Sequence, residues 1–103
     1  MDYNDFVGGW FVGNFSPALF RRNDIEVGVK YLEKGFIDNA HFHERSTEFN
    51  FIVFGHVRSG QCNFYRGDFM IFYPGEISAV ECVEDAAILV IRNGTGLDDK
   101  HFV

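Results

Sequence analysis

The sequence is poor in positive charge and in long apolar runs, and each shortage excludes a class of protein. Lys and Arg number 9 against 15 Asp and Glu, which gives the 103 residues a net charge of −6 and argues against nucleic acid or an anionic membrane as the main partner. No apolar run approaches the roughly 20 residues that a membrane-spanning helix needs. The first residues lack the basic and apolar regions of a signal peptide, so we expect a cytoplasmic protein.

Cysteine is also scarce, and known catalytic motifs are missing. The 2 cysteines, Cys62 and Cys82, do not have the spacing of a zinc motif. In a cytoplasmic protein we expect both to be reduced thiols that pack against their neighbours. No phosphate-binding loop, dinucleotide fingerprint or serine-hydrolase motif is present in the sequence.

Amphipathic helices are nearly absent, because few segments carry an apolar stripe at the 3.6-residue period. The exception is residues 16–22, where Ser16 can cap and Pro17 can begin a short helical turn near the N-terminus. Short segments rich in Phe and Val, separated by Gly and polar turns, make up the rest and predict strands. The predicted strands are Trp10–Val12, Ile25–Glu33, Ala40–His43, Glu48–Val57, Gln61–Tyr65, Phe69–Tyr73, Ile77–Val83 and Ala86–Arg92. We therefore predict one all-β domain, a sandwich or barrel, over residues 1–103.

The residues that could bind a metal or take part in catalysis lie between Gly35 and Gly55. His41 and His43 are two residues apart, so on a strand both imidazoles point to the same face. The polar residues 44–47 can turn the chain back and bring Glu48, which opens the next strand, level with the histidines. Two neutral imidazoles and a carboxylate suit a divalent ion such as Fe, Mn, Ni or Zn, with positions left open for water or substrate. The alternative is a pair of half-exposed histidines that bind nothing.

This segment resembles the first signature motif of the cupin superfamily at every fixed position: Gly35-x5-His41-x-His43-x4-Glu48-x6-Gly55. The later stretch from Gly67 to Gly75 is similar to the second cupin motif, in a degenerate form. Tyr73 stands where the family usually has proline, Ser78 where it has a third histidine, and Cys82 where it has asparagine.

The resemblance implies a small jelly-roll barrel whose inward face carries a divalent transition metal on His41, His43 and Glu48. The histidine that is missing at Ser78 leaves two alternatives open: a metal centre of two histidines and one carboxylate, or a metal-free barrel that keeps its polar residues for a ligand. By strand alternation, Asn50, Ile52 and Phe54 should point inward with Glu48. Asn50, Ser78 and Tyr73 are therefore candidates for contacts to the ligand or around the metal.

The resemblance predicts the fold more specifically than the activity, because proteins with the cupin fold have many functions. The first hypothesis is a metal-dependent oxygenase or isomerase acting on a small polar molecule such as a sugar or an organic acid. The second is a non-catalytic ligand-binding or sensor protein, and the third is a metal-free sugar isomerase or epimerase. No obvious general base stands out for the enzyme hypotheses.

The 13 Phe are more than one small barrel can enclose. If Glu48 points inward, Phe49 and Phe51 point outward, and Phe42 lies between the two inward histidines. An exposed stripe of such rings is an aggregation liability in a monomer. We therefore predict a homodimer that buries Phe42, Phe49 and Phe51.

Overall fold

Two antiparallel β-sheets face each other in the computed structural model, which describes residues 1–93 and 100–103. The larger sheet has the strand order β1-β2-β8-β4-β5, and β6 also pairs with β4; the smaller sheet has the order β7-β3-β9. The strands are β1 Trp10–Val12, β2 Ile25–Leu32, β3 His41–His43, β4 Glu48–Ser59, β5 Cys62–Tyr65, β6 Phe69–Phe72, β7 Ile77–Ser78, β8 Val80–Asn93 and β9 Lys100–Phe102. The predicted all-β class is confirmed.

Strand alternation divides the larger sheet into two different faces. The inner face includes Val90 on β8 and Ile52 on β4, which belong to a buried cluster with Val57, Met70, Val80, Cys82, Ala86 and Ile88. The outer face carries the intervening residues, such as Phe49 and Ile91, which lie opposite each other in the register. Polar residues on the inner face are therefore enclosed between the two sheets.

The long central strand β4 is interrupted by a bulge around Gly55. The register between β4 and β8 shifts repeatedly between Ile52 and Val57. Gly55 has φ +98°, and a Cβ there would overlap the backbone of Asp85 and Ala86, so only glycine fits this close approach. Phe54 is 45% exposed as a result, and the expectation that it points inward is wrong.

The N-terminal segment also differs from the sequence-based expectation. Short 3-10 turns lie at Tyr3–Asp5 and Val7–Gly9, whereas residues 14–17 form bends and the Ser16–Pro17 peptide bond is cis. The helical turn near the N-terminus therefore precedes β1 and is capped by Asp2, whose side chain accepts a hydrogen bond from the Asn4 amide at 2.8 Å. The predicted strands 77–83 and 86–92 are instead the short β7 and the continuous β8.

The two cysteines have different environments. Cys82 is buried, and its thiol donates to the carbonyl oxygen of Glu84 at 3.0 Å. Burial raises the pKa of the Cys82 thiol, so the expected packing role is confirmed for this residue. Cys62 is exposed.

Among residues 1–93 and 100–103 there is no helix of the length and apolarity required to cross a bilayer.

Candidate functional site

The three predicted metal ligands lie inside the barrel on neighbouring strands. His41 and His43 on β3 are 4% and 5% exposed, and Glu48 at the start of β4 is 7% exposed. The alternation of β3 turns both imidazoles inward, with their ring centroids 5.4 Å apart and the ring planes nearly perpendicular. His43 Nε2 lies 3.6 Å from Glu48 Oε2. The sequence-based prediction that these side chains share one interior face therefore agrees with the structure.

A backbone contact sets the orientation of His41. Its Nδ1 lies 2.8 Å from the carbonyl oxygen of Asn39. Because a carbonyl oxygen only accepts hydrogen bonds, Nδ1 carries the hydrogen in this pair, and a neutral His41 keeps its lone pair on Nε2. This is the arrangement in which metal-binding histidines are commonly held.

Sequence reasoning missed the cation of this site, Arg92 on β8. Its Nη2 and Nε donate to Glu48 Oε2 at 2.8 and 3.2 Å, and its Nη1 donates to Glu26 Oε1 at 3.3 Å. Glu26, Arg92 and Glu48 are cross-strand neighbours in the register of β2, β8 and β4. All three side chains are less than 10% exposed, so each depends on the others for charge compensation.

Arg92 determines the protonation state of Glu48. Burial alone would raise the pKa of this carboxyl group, because it disfavours the charged form. The charge and hydrogen bonds of Arg92 oppose that effect, with smaller contributions from Lys30 and His43, and the pKa of Glu48 is held below its ordinary value. Glu48 is therefore a carboxylate at neutral pH and is ready to bind a cation or a hydrogen-bond donor.

A second cation, the half-buried Lys30 on β2, lines the same interior. Burial lowers the pKa of Lys30, whereas the nearby carboxylates of Glu48 and Asp38 act in the opposite direction. The Trp10 ring contacts both cations: Lys30 Nζ lies 5.6 Å and Arg92 Cζ 4.9 Å from its centroid. The alternation of the predicted strand 25–33 is the signal that could have identified Glu26 and Lys30, because they share the face opposite Val27 and Val29.

The barrel encloses a cavity of about 80 Å³. Its lining residues are Lys30, Leu32, Phe36, Asp38, Glu48, Asn50, Met70, Ser78, Val80 and Ile88. Asn50 and Ser78 are both buried there, as the sequence-based hypothesis requires. Tyr73 is 56% exposed and is not among the lining residues. Two of the three candidate contact residues are therefore positioned to meet a small ligand in this cavity.

The Asn50 amide is held in a fixed orientation. Its Nδ2 donates to the carbonyl oxygen of Met70 at 3.1 Å, across the β4–β6 pair. Asn50 also lines the cavity, and its amide oxygen can accept a hydrogen bond from a ligand there. Ser78 lies opposite His41 in the β3–β7 register.

The donor set is chemically suited to a divalent ion but is not gathered into a preformed cluster. No three His, Cys, Asp or Glu side chains among residues 1–93 and 100–103 are already positioned as a metal-binding group. Both bonds from Arg92 end on Glu48 Oε2, so Oε1 is left for a further partner. With His41 Nε2 and the nearby His43 ring, the site offers two imidazoles and one carboxylate oxygen, which Fe, Mn, Ni and Zn accept.

Comparison with known proteins identifies the fold. No protein-family model and no curated protein matches the sequence. An uncharacterised protein with a double-stranded β-helix domain from Klebsiella pneumoniae is 19% identical with a TM-score of 0.67, covering 82% of this chain and 79% of that one. A chain from the structures of the DMSP lyases RdDddP and RnDddQII is 20% identical with a TM-score of 0.73, covering 91% of this chain and 50% of that one.

A third similar structure is Bacillus subtilis oxalate decarboxylase, at 16% identity and a TM-score of 0.65, covering 79% of this chain and 24% of that one. That enzyme has Mn(II) centres. The chain therefore has a double-stranded β-helix, or jelly-roll, fold, which is the fold that the resemblance to cupins implies.

Proposed function

We propose that the barrel binds a divalent transition metal through His41, His43 and Glu48 and holds a small polar ligand beside it. The observation that carries the proposal is the buried contact between His43 and the Glu48 carboxylate, at 3.6 Å, beside His41 on the same strand. Fe, Mn, Ni and Zn all fit this donor set. When bound, the ion would supply Lewis-acid or redox chemistry to an oxygen-bearing ligand.

The size of the barrel cavity limits the ligand. A cavity of about 150 Å³ is enough for a six-membered carbon ring such as benzene, whereas this cavity has about 80 Å³. A ligand of a few heavy atoms fits, and a monosaccharide does not. Among the candidates from the sequence, a short organic acid is therefore the better choice inside the barrel.

The polar residues of the cavity match a short carboxylate. The Lys30 side chain brings an ammonium group toward the cavity, and the Ser78 hydroxyl can donate a hydrogen bond. The Asn50 amide oxygen, oriented by the bond to Met70, can accept one from a ligand hydroxyl. A hydroxy acid would use all three contacts.

Metal content separates this proposal from the metal-free alternative. Protein without a His tag is reconstituted with Mn²⁺, Fe²⁺, Ni²⁺ or Zn²⁺, desalted and analysed for bound metal. We expect about one equivalent in the wild type and in His56→Ala, and a loss of most of it in His41→Ala and His43→Ala, since each removes one of three ligands. His56 is a suitable control because it lies away from the site, stacked on Tyr65 and 2.8 Å from Asn63 Oδ1.

Ligand binding and turnover are measured on the same reconstituted protein. A short hydroxy acid at 100 times its dissociation constant should stabilise the fold by roughly 2.7 kcal/mol. Product analysis then separates an oxygenase or isomerase, which would transform the acid, from a sensor, which would only bind it. A wild-type protein that binds no metal under any of the four conditions would contradict the proposal.

We further propose that the protein forms a homodimer through the outer face of its larger sheet. Two cross-strand rows on this face contain only apolar side chains: Val27, Ile91, Phe49 and Ile71 in one, and Val29, Leu89, Phe51 and Phe69 in the other. Phe49 and Phe69 are 37% and 59% exposed. Such a contiguous apolar face is typical of an interaction site.

A second copy of the chain is the partner that this face fits. Each copy has a net charge of −6, so two copies repel each other except where a charge-free surface allows contact. A twofold axis would place the apolar rows of one copy on those of the other. Phe42 lies on the smaller sheet and stacks on His101 with centroids 5.1 Å apart, so the proposed interface contains Phe49 and Phe51 without Phe42.

A further inference from the structure

A second cavity, larger than the barrel cavity, lies between residues of the N-terminal segment and the strands β1, β2 and β8. Its volume is about 240 Å³, and it is lined by Val7, Trp10, Phe15, Ser16, Pro17, Glu26 and Arg92. It shares no lining residue with the barrel cavity. Arg92 lines this second cavity while it donates to Glu48, which lines the first.

The lining of the second cavity has an apolar part and a polar part. Trp10, Phe15 and Pro17 provide apolar and aromatic walls, whereas the buried Glu26 and Arg92 form a polar part of the lining. Arg92 donates three hydrogen bonds to carboxylates, which leaves two of the five N–H groups of a guanidinium. A ligand with hydrogen-bonding groups on one side and an apolar face on the other would match both surfaces.

The charges around the cavity favour an uncharged ligand. The two carboxylates Glu26 and Glu48 are opposed by two cations, Arg92 and Lys30, and Lys30 Nζ lies 5.6 Å from the Trp10 ring centroid. An added anion would therefore have no cation left to compensate its charge in this low-dielectric setting. A cation is disfavoured at the aromatic wall, because the Arg92 guanidinium already lies 4.9 Å from the Trp10 ring centroid. Hydroxyl groups can both donate to a carboxylate and accept from a guanidinium without adding charge.

The volume fits a single substituted ring. The cavity has about 240 Å³, compared with the roughly 150 Å³ that is sufficient for benzene. We propose that the cavity formed by Trp10, Phe15, Glu26 and Arg92 is a binding site for an uncharged, hydroxylated ring of monosaccharide size. The two cavities share no lining residue, and Arg92 links them through its hydrogen bonds to Glu48.

Fluorescence of Trp10 gives a direct readout, because Trp10 is the only tryptophan of the chain and forms a wall of the cavity. EDTA-treated protein is titrated with D-glucose, D-galactose and myo-inositol as uncharged rings, and with glucuronate and glucosamine as charged rings of similar size. The EDTA treatment makes the result independent of metal binding. We expect a saturable change of Trp10 emission with at least one uncharged ring and a weaker response to the charged rings.

A blocking variant with a matched control locates the binding. Val7 is 76% exposed and lines the cavity, whereas Leu19 is 56% exposed and does not. Val7→Phe should weaken binding of the uncharged ring by about tenfold or more, and Leu19→Phe should leave it unchanged. Equal binding to Val7→Phe, tighter binding of a charged ring, or no saturable change with any of the uncharged rings would overturn the assignment.

Discussion

Arg92 Nη2 lies 2.8 Å from Glu48 Oε2, and both side chains are 9% exposed. The same distance separates Arg22 Nη2 from Asp24 Oδ2 at the surface, where the side chains are 52% and 66% exposed. The geometry of the closest contact is thus the same in the two pairs, but the surroundings differ. When one partner of a buried pair is removed, water cannot solvate the charge that remains. Arg92 is therefore needed to compensate the buried carboxylates in the barrel interior.

Arg92→Ala should strongly destabilise the protein. The substitution leaves Glu26 and Glu48 buried without their guanidinium, and breaking a buried ion pair in this way costs about 3–5 kcal/mol. Urea denaturation monitored by Trp10 fluorescence measures the change in the free energy of unfolding. Arg22→Ala removes the exposed pair and serves as the control, for which we expect little change. Equal effects of the two substitutions would contradict the buried role of Arg92.

Stability should fall on acidification because of Glu48. The folded-state pKa of Glu48 lies below its ordinary value of 4.5, so the unfolded chain takes up the proton first as the pH decreases. The stabilisation from the ionised carboxylate is therefore complete well above pH 4.5 and is lost progressively below it, through the folded-state pKa. The urea midpoint of the wild type should show this loss, and Glu48→Gln should show a shallower decline over the same range. Parallel acid profiles would argue against the paired carboxylate.

Disruption of the outer face should change the oligomeric state. Phe49→Lys places a charge in the middle of the apolar row formed with Ile91 and Ile71, so we expect a shift from dimer to monomer in size-exclusion chromatography with light scattering. Ile77→Lys is the matched control, because Ile77 is 55% exposed on the smaller sheet. A wild-type protein that is monomeric at micromolar concentration would remove the dimer proposal.

The sequence was sufficient for the local features of the site. A two-residue spacing places His41 and His43 on one face of any strand, and the same alternation places Asn50 with Glu48. The role of Arg92 could not be predicted from the sequence, because its contact with Glu48 spans 44 positions and depends on the register of two antiparallel strands. Phe54 was misplaced since the bulge at Gly55 breaks the alternation on which that prediction relied.

The prediction that Phe42 shares a dimer interface with Phe49 and Phe51 also depended on strand pairing that the sequence does not show. Alternation identifies outward residues but not the sheet to which their strand belongs. Phe42 and Phe49 both point away from the barrel interior, yet β3 pairs with β7 and β9 while β4 pairs with β5, β6 and β8. Sheet membership follows from long-range pairing, which a single sequence does not reveal.

The central claim is that His41, His43 and Glu48 bind one divalent metal ion. The most direct measurement is a crystal structure of the Mn²⁺- or Zn²⁺-reconstituted protein, with anomalous diffraction at the absorption edge of the metal. The account predicts a single anomalous peak about 2.0–2.2 Å from a nitrogen of each histidine and from an oxygen of Glu48. A well-ordered barrel with no peak among these side chains, or with the metal bound elsewhere, would contradict it.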